Sequence, residues 1–283
     1  MRGVVSAGMV VALQRLGLID VFDAVYGSSA GAMNGAYLLA RQALFGTTIY
    51  YEDINNAQFV DFRRVVRGRP ILDLDYLVGE VMNERKRLDV GAVAGSAVPL
   101  KVLATHVPSG ERHVFSSWDG REDFLRSLRA GASMPIVAGP PYRYRGEPYW
   151  DALLTEPIPV HAAEADGVTH IVTLLTRAPG GAGPALSAFD RLFILPRMRK
   201  ASALLADRYV ARGEEYSRLV ASLWNETMPG GQVAVLPIAP SGQVAGKLEK
   251  TRATLMASAL AGAQAVFAAF SPDPAPPDIL GVG

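Results

Sequence analysis

The 283-residue chain contains no cysteine, which excludes disulfides, a thiolate nucleophile and a thiolate-held metal. Charge of one sign is also scarce. Charged residues make up 19% of the chain, the net charge is +1, and acids and bases alternate without a long run of either. Nothing in that balance draws the chain to nucleic acid. Histidine occurs only at positions 106, 113, 161 and 170. There is no H-E-x-x-H and no clustered carboxylate–histidine spacing, so no metal is expected. The phosphate loop G-x-x-x-x-G-K-[ST] is missing too, so nucleotide phosphate binding has no signal. The opening MRGVVSAGMVVALQRLG lacks an A-x-A cleavage site and does not read as a signal peptide. The expectation is a cytoplasmic protein with peripheral contact at a membrane.

What is present suits a large core: 49% of residues are hydrophobic, far from the composition of a disordered chain. Apolar spacing predicts a helix over Val4–Leu16, closed by Gly17. A short strand, Asp23–Tyr26, follows, then a turn and a helix over Ala30–Ala43. Residues 46–90 read as a helical excursion. Further strands are expected at Leu100–Val107, Arg112–Ser116, His170–Thr176 and Gln232–Ile238, with a hairpin at Tyr142–Trp150 turning near Arg145 and Gly146. Helices are expected at Glu122–Ala130, across Ala185–Glu226 with a break at Pro196, and at Lys247–Phe270. Strands alternating with helices predict a mostly parallel sheet covered on both faces. Ala253–Phe270 carries no charge and meets the minimum length for a membrane span. Its content of Ala, Ser, Thr and Gln favours a core or surface-docked helix over membrane contact. The proline-rich residues 272–283 read as a disordered tail.

Gly27-Ser28-Ser29-Ala30-Gly31 fits G-x-S-x-G. In that arrangement a nucleophilic serine sits on a strained strand-to-helix turn, and the flanking glycines remove Cβ atoms that would collide with strand and helix. The following helix aims its N-terminal amides, Ala30 first, at the place where an oxyanion forms. The context agrees: DAVY precedes the motif and AGAMNGAYLLARQA follows it. The residues alone also allow an ordinary glycine turn with Ser29 as a helix N-cap.

These segments together resemble the bacterial patatin-like phospholipases. The likeness runs from MRGVVSAGMVVALQRLG and FDAVYGSSAGAMNGAYLLA through SLRAGASMP at Ser127–Pro135 to WDALLTEPIPV at Trp150–Val160. It continues through LLADRYVARGEEYSRLV and the final helix. The resemblance implies a three-layer α/β/α fold, a catalytic core over residues 1–180, and a helical region over 181–271 packed on the same domain. It implies a Ser-Asp dyad with Ser29 as nucleophile and Asp151 as base, acting on lipid acyl esters, phospholipids or lysophospholipids, without a cofactor. It places Arg2 and Gly3 in the oxyanion loop.

Two departures qualify the resemblance. Met1-Arg2-Gly3 matches only the end of the family's G-G-G-x-R/K-G, so the first strand and its glycines are expected to be missing and catalysis to be weak. The family's D-G-G or D-G-A is Asp151-Ala152-Leu153 here, and Ala resists a left-handed backbone. Two other readings remain open: an impaired patatin-like protein that binds lipid or a partner, and a Ser-His-Asp esterase using His161 or His170. Arg63, Arg64, Arg67 and Arg69, and then Arg85, Lys86 and Arg87, read as solvated faces or as sites of attraction to anionic lipid. The run from Phe189 to Lys200 reads as core or as a lipid-facing flap.

Overall fold

The computed structural model describes residues 1–180, 183–225, 233–276 and 278–281. Its core is built around strand β2, Leu100–His106, whose side chains alternate between two buried faces. Leu100, Val102 and Ala104 enter the main core, while Leu103 joins a smaller cluster with Ala152, Ala162 and Tyr26. Helices cover both faces. Helix α1 (Gly3–Arg15), α2 (Ala30–Leu39) and α5 (Gly120–Gly131) contribute to the main core, and Ala162 belongs to α6 (Val160–Ala165) on the other face. The fold is α/β, as expected from the sequence.

The sheet is mixed rather than mostly parallel. Strand β1 (Val25–Ser28) pairs with β2 in parallel, whereas β3 (Arg112–Phe115) and β5 (Glu147–Asp151) pair with β2 antiparallel, and β4 (Tyr142–Tyr144) pairs with β5 antiparallel. The cause is local. Two tight connections, around Gly110 and at Arg145-Gly146, fold adjacent strands into hairpins, which can only be antiparallel. Arg145 and Gly146 both have positive φ, 49° and 85°, the backbone of a two-residue hairpin turn. A second, separate sheet pairs β6 (His170–Leu174) with β7 (Ala234–Ile238) in parallel.

Several expected elements shift. The first strand begins at Val25 rather than Asp23. The helix expected over Ala30–Ala43 is divided at Arg41, whose φ is 56°, into α2 and α3 (Ala43–Thr48). Residues 46–90 hold π-helical stretches at Ile49–Asp53 and Tyr76–Arg85, a 3-10 turn at Phe62–Arg67 and the start of α4, Val90–Ala94. Pro196 does not break a helix. It sits in the first turn of α7 (Leu195–Ala201), where its missing N–H costs nothing. The break falls at Ser202, which caps α8 (Ala203–Leu223) by accepting from the Leu205 amide. Glu226 and Gln232 lie outside the described residues. The tail expected to be disordered instead returns Ile279 and Leu280 to the core, where they are 1% and 7% exposed. Two apolar side chains anchor it despite the prolines before them.

Helix α9 (Arg252–Phe270) is long and apolar enough to cross a membrane by length and composition. In this fold it packs on α1 instead. Leu255, Ala259, Ala263 and Val266 are fully buried, and the two backbones touch through glycine. A Cβ on Gly8 would lie 1.8 Å from the Ala259 carbonyl oxygen, and one on Gly262 would lie 2.1 Å from that of Val5. Gly8→Ala should therefore destabilise the fold by about 2 kcal/mol or more, although alanine gains about 1 kcal/mol over glycine in a free helix. Gly79→Ala, where a Cβ meets nothing, should be neutral or stabilising. Thermal melts of the two variants test the difference in sign.

Candidate active site

Strands β1 and β5 share one edge of β2. Since β3 pairs with Val102 through Thr105 on the opposite edge, β1 and β5 must lie end to end on the other. β1 runs parallel to β2 and finishes with Ser28 opposite Leu103. β5 runs the other way and finishes with Asp151 opposite Ala104. The carboxyl ends of the two strands thus meet at adjacent register positions. Ser29 is the residue that follows the first end, and Asp151 is the residue that closes the second.

Ser29 turns the chain from β1 into α2 with φ 54° and ψ −125°, a backbone that costs a non-glycine residue about 1–3 kcal/mol. Gly27 makes the turn possible: a Cβ there would lie 2.3 Å from the Ala32 Cα. Gly31 does not play the matching part expected of it, because a Cβ at Gly31 would meet nothing within 4 Å. It faces open space beside the serine. The Ser28 hydroxyl donates to the Glu156 carbonyl at 2.7 Å and ties the turn to the loop that follows Asp151.

Two helix N-termini converge here. The first backbone bond of α2 runs from the Ala32 N–H to the Ser29 carbonyl, so the Ala30 and Gly31 amides have no intrahelical acceptor. In α1 the Val5 N–H bonds to the Arg2 carbonyl, which leaves the Arg2 and Gly3 amides in the same condition. Gly3 is pressed close to α2: a Cβ on it would lie 2.6 Å from the Ala30 Cβ and 2.6 Å from the Tyr50 hydroxyl. Buried Asn34 holds this contact. Its Nδ2 donates to the Gly3 carbonyl and to the Ser6 hydroxyl, both at 2.9 Å, and its Oδ1 accepts from Tyr50 at 3.1 Å. Sequence reasoning passed over Asn34, although a polar residue inside an otherwise apolar helix was a usable signal.

Asp151 is 1% exposed and fixed on three sides. Its N–H donates to the Ser133 carbonyl at 2.9 Å, its carbonyl accepts from Thr105 Oγ1 at 3.0 Å, and its Oδ1 accepts from the Leu153 amide at 2.8 Å. Ala152 opens a 3-10 turn and is not among the residues with positive φ, so the left-handed conformation that alanine would resist is not required. Oδ2 is buried and makes no hydrogen bond of full geometry. The Ser29 hydroxyl is nonetheless near enough to act on the carboxyl. Burial raises its pKa to about 6, against the opposing pull of the Ser29 hydroxyl, the Leu153 amide and the Lys247 charge. A catalytic hydrogen bond that is open at rest can close when substrate binds.

Around the pair, charge is positive. Lys247 keeps contact with solvent, but the surrounding walls strip part of its hydration, and Arg212, Arg2 and Arg177 push its pKa further down. Arg212 lies over the Tyr209 ring and Arg177 over that of Tyr216. Glu156, also missed, is 3% exposed and fully engaged: Oε2 pairs with Arg112 and Oε1 accepts from the Ala162 amide at 2.8 Å. It braces the loop and has no free oxygen for proton transfer.

The histidines have other partners. His161 contacts Glu164 at 3.4 Å and His170 contacts Thr169 at 3.0 Å. His106 lies between Ser109 and Glu147, and His113 packs against the Phe115 and Tyr149 rings. Each of the two basic clusters is partly matched by acids: Arg63 pairs with Asp61 and Arg64 with Asp73 in the first, Arg85 with Glu80 and Lys86 with Glu52 in the second. Two surface cavities, one of about 380 Å³ lined by Asp61, Arg63, Arg64 and Arg67 and one of about 470 Å³ that includes Arg121 and Arg129, do not include Ser29 or Asp151.

The raised pKa of Asp151 has a consequence for stability. A carboxyl that ionises near 3.8 in the unfolded chain and near 6 in the fold binds more protons when folded across that window. Stability therefore falls as pH rises from about 4 to about 6, by up to about 3 kcal/mol, and stays lower above it. Asp151→Asn should melt at a higher temperature than the parent at pH 8, with the gap closing toward pH 4. Melting curves of both proteins across that range check the sign.

Comparison with known proteins places the chain in a family. The family model for patatin-like phospholipases matches residues 1–164, the part that contains both strand ends. An uncharacterised protein of Escherichia coli strain K12, YjjU, is 25% identical over 177 residues, which cover 62% of this chain and 49% of that protein. The chain thus spans about half the length of this curated relative. The match over residues 1–164 covers more than half of the sequence and includes the strained serine turn and the buried carboxylate, and on that ground the chain belongs to the patatin-like phospholipase family.

Proposed function

We propose that the protein is an acyl-ester hydrolase acting on lipids, phospholipids or lysophospholipids among them, through an acyl-Ser29 intermediate. The observation that carries this reading is the head-on meeting of β1 and β5, which sets a strained serine against a buried carboxylate. Asp151 Oδ2 is the acceptor left open for the Ser29 proton. As Ser29 Oγ bonds to the ester carbonyl carbon, its proton passes to Asp151. The carbonyl oxygen gains negative charge and is met by amides at the two helix N-termini, Ala30 and Gly31 on one side and Arg2 and Gly3 on the other. Collapse of the tetrahedral species breaks the bond to the alcohol, which leaves with the proton held by Asp151. Water then attacks the acyl-enzyme by the same steps, releasing the fatty acid and returning the proton to Ser29.

Burial suits Asp151 to this work. A carboxylate with an ordinary pKa would be a weak base, and raising it to about 6 strengthens it while leaving it ionised at neutral pH. A histidine-dependent triad has less support, since His161 and His170 are engaged elsewhere.

Ser29→Ala should abolish hydrolysis of a short p-nitrophenyl ester without lowering the melting temperature by more than a few degrees. The four histidine-to-alanine variants should each keep activity within about tenfold of the parent. Retained turnover in Ser29→Ala, or the loss of turnover on replacing one histidine in a folded protein, would overturn the reading.

A further inference from the structure

One helical run beside the site has an outer face that nothing among the described residues covers. Residues Asp190–Ile194 form a π-helical turn that continues directly into α7. The inner side of this run is buried: Ile194, Leu195 and Met198 pack with Trp150 and Leu154, the neighbours of Asp151 on its strand and in the following turn. The outer side is apolar and exposed, with Leu192 69% and Phe193 41% accessible. Phe193 is held in that position. It stacks on Phe189 at 5.1 Å, lies beneath the Arg197 guanidinium, and its carbonyl accepts from Arg197 at 2.9 Å.

The exposed charges on this run itself are positive. Arg191, Arg197, Arg199 and Lys200 are exposed. Of the nearby acids, Asp190 turns inward to Tyr209 and Ser187, and Asp207 lies 3.9 Å from Arg199. Bulky apolar side chains between cations match a bilayer interface, where the former enter the acyl boundary and the latter meet anionic head groups.

We propose that the face bearing Leu192 and Phe193, flanked by Arg191, Arg197, Arg199 and Lys200, docks the protein on an anionic lipid bilayer. The inner side of the same run packs on the strand that ends in Asp151, so docking brings the surface that supplies ester close to the site that would cleave it. The inference deepens the hydrolase reading by naming where lipid is met. Its test reads binding without turnover, so the two can fail separately.

The experiment is co-sedimentation with vesicles of phosphatidylcholine alone and of three parts phosphatidylcholine to one part phosphatidylglycerol. The protein should pellet with the mixed vesicles, pellet far less with the neutral ones, and lose binding as salt rises. Leu192→Asp with Phe193→Asp should weaken binding by at least about tenfold. Arg197→Glu with Lys200→Glu should do so by at least about twentyfold, at roughly fivefold for each cation. Both double variants should keep the parent's melting temperature and its hydrolysis of a soluble short ester within about twofold. The proposal is overturned if the parent pellets with neither vesicle, or if Leu192→Asp with Phe193→Asp pellets as well as the parent. It is also overturned if the parent is a dimer by light scattering and that variant a monomer, because the face then joins two copies of this chain.

Discussion

A single edge of β2 carries two strands that run toward each other, and the geometry of the site depends on that shared edge. Hydrogen-bond register, rather than loop packing, sets Ser28 opposite Leu103 and Asp151 opposite Ala104. A shift of either strand by one residue would turn its side chains to the other face of the sheet and part the serine from the carboxylate. The opposite edge of β2 is occupied by β3, which leaves the two strand ends no alternative place to pair. A site mounted on rigid strands in this way keeps its geometry better than one mounted on loops.

The rest of the structure offsets what this site costs. Ser29 holds a backbone that few residues adopt, and Asp151 holds a carboxyl without full solvation. Both conditions oppose folding. Against them stand the interlocked backbones of α1 and α9, the buried Asn34–Tyr50 network that fixes Gly3 against α2, and the core that β2 fills on both faces. Small residues are the common device. Gly3, Gly8, Gly27 and Gly262 each allow a close approach where a Cβ could not fit: Gly8 and Gly262 lock α1 to α9, Gly27 admits the turn into α2, and Gly3 sets the N-terminus of α1 against that of α2. In the proposed reaction, an anion forming on a substrate at that point would meet amides without an intrahelical acceptor and a positive surrounding field.

Much of this was legible in the sequence, for reasons that differ by element. The serine turn could be read because its glycine spacing is a steric requirement, and Gly27 bears that out. Gly31 has the same spacing but no such contact, since a pattern records residue types and not their neighbours. The hairpin at Arg145-Gly146 and the helix from Gly3 were readable from turn chemistry and apolar period. The mixed sheet was not, because alternating strands and helices indicate an α/β fold without saying which strands form hairpins. The end-to-end pairing of β1 and β5 could not be read at all, as it joins residues more than a hundred positions apart. The π-helical stretches in residues 46–90 blur the helical period that would reveal them, and the docking of Ile279 and Leu280 was hidden by the prolines before them.

The central claim is that Asp151 takes the proton from Ser29, and the most direct measurement is the rate at which a fluorophosphonate labels Ser29 as a function of pH, read by intact mass. The account predicts that the rate in the parent protein rises through a midpoint near pH 6, the value to which burial brings Asp151. Asp151→Asn should label at least about 100-fold more slowly with no step in that region. Labelling of Asp151→Asn at the parent's rate, or a midpoint that persists in that variant and disappears when a histidine is replaced, would contradict it.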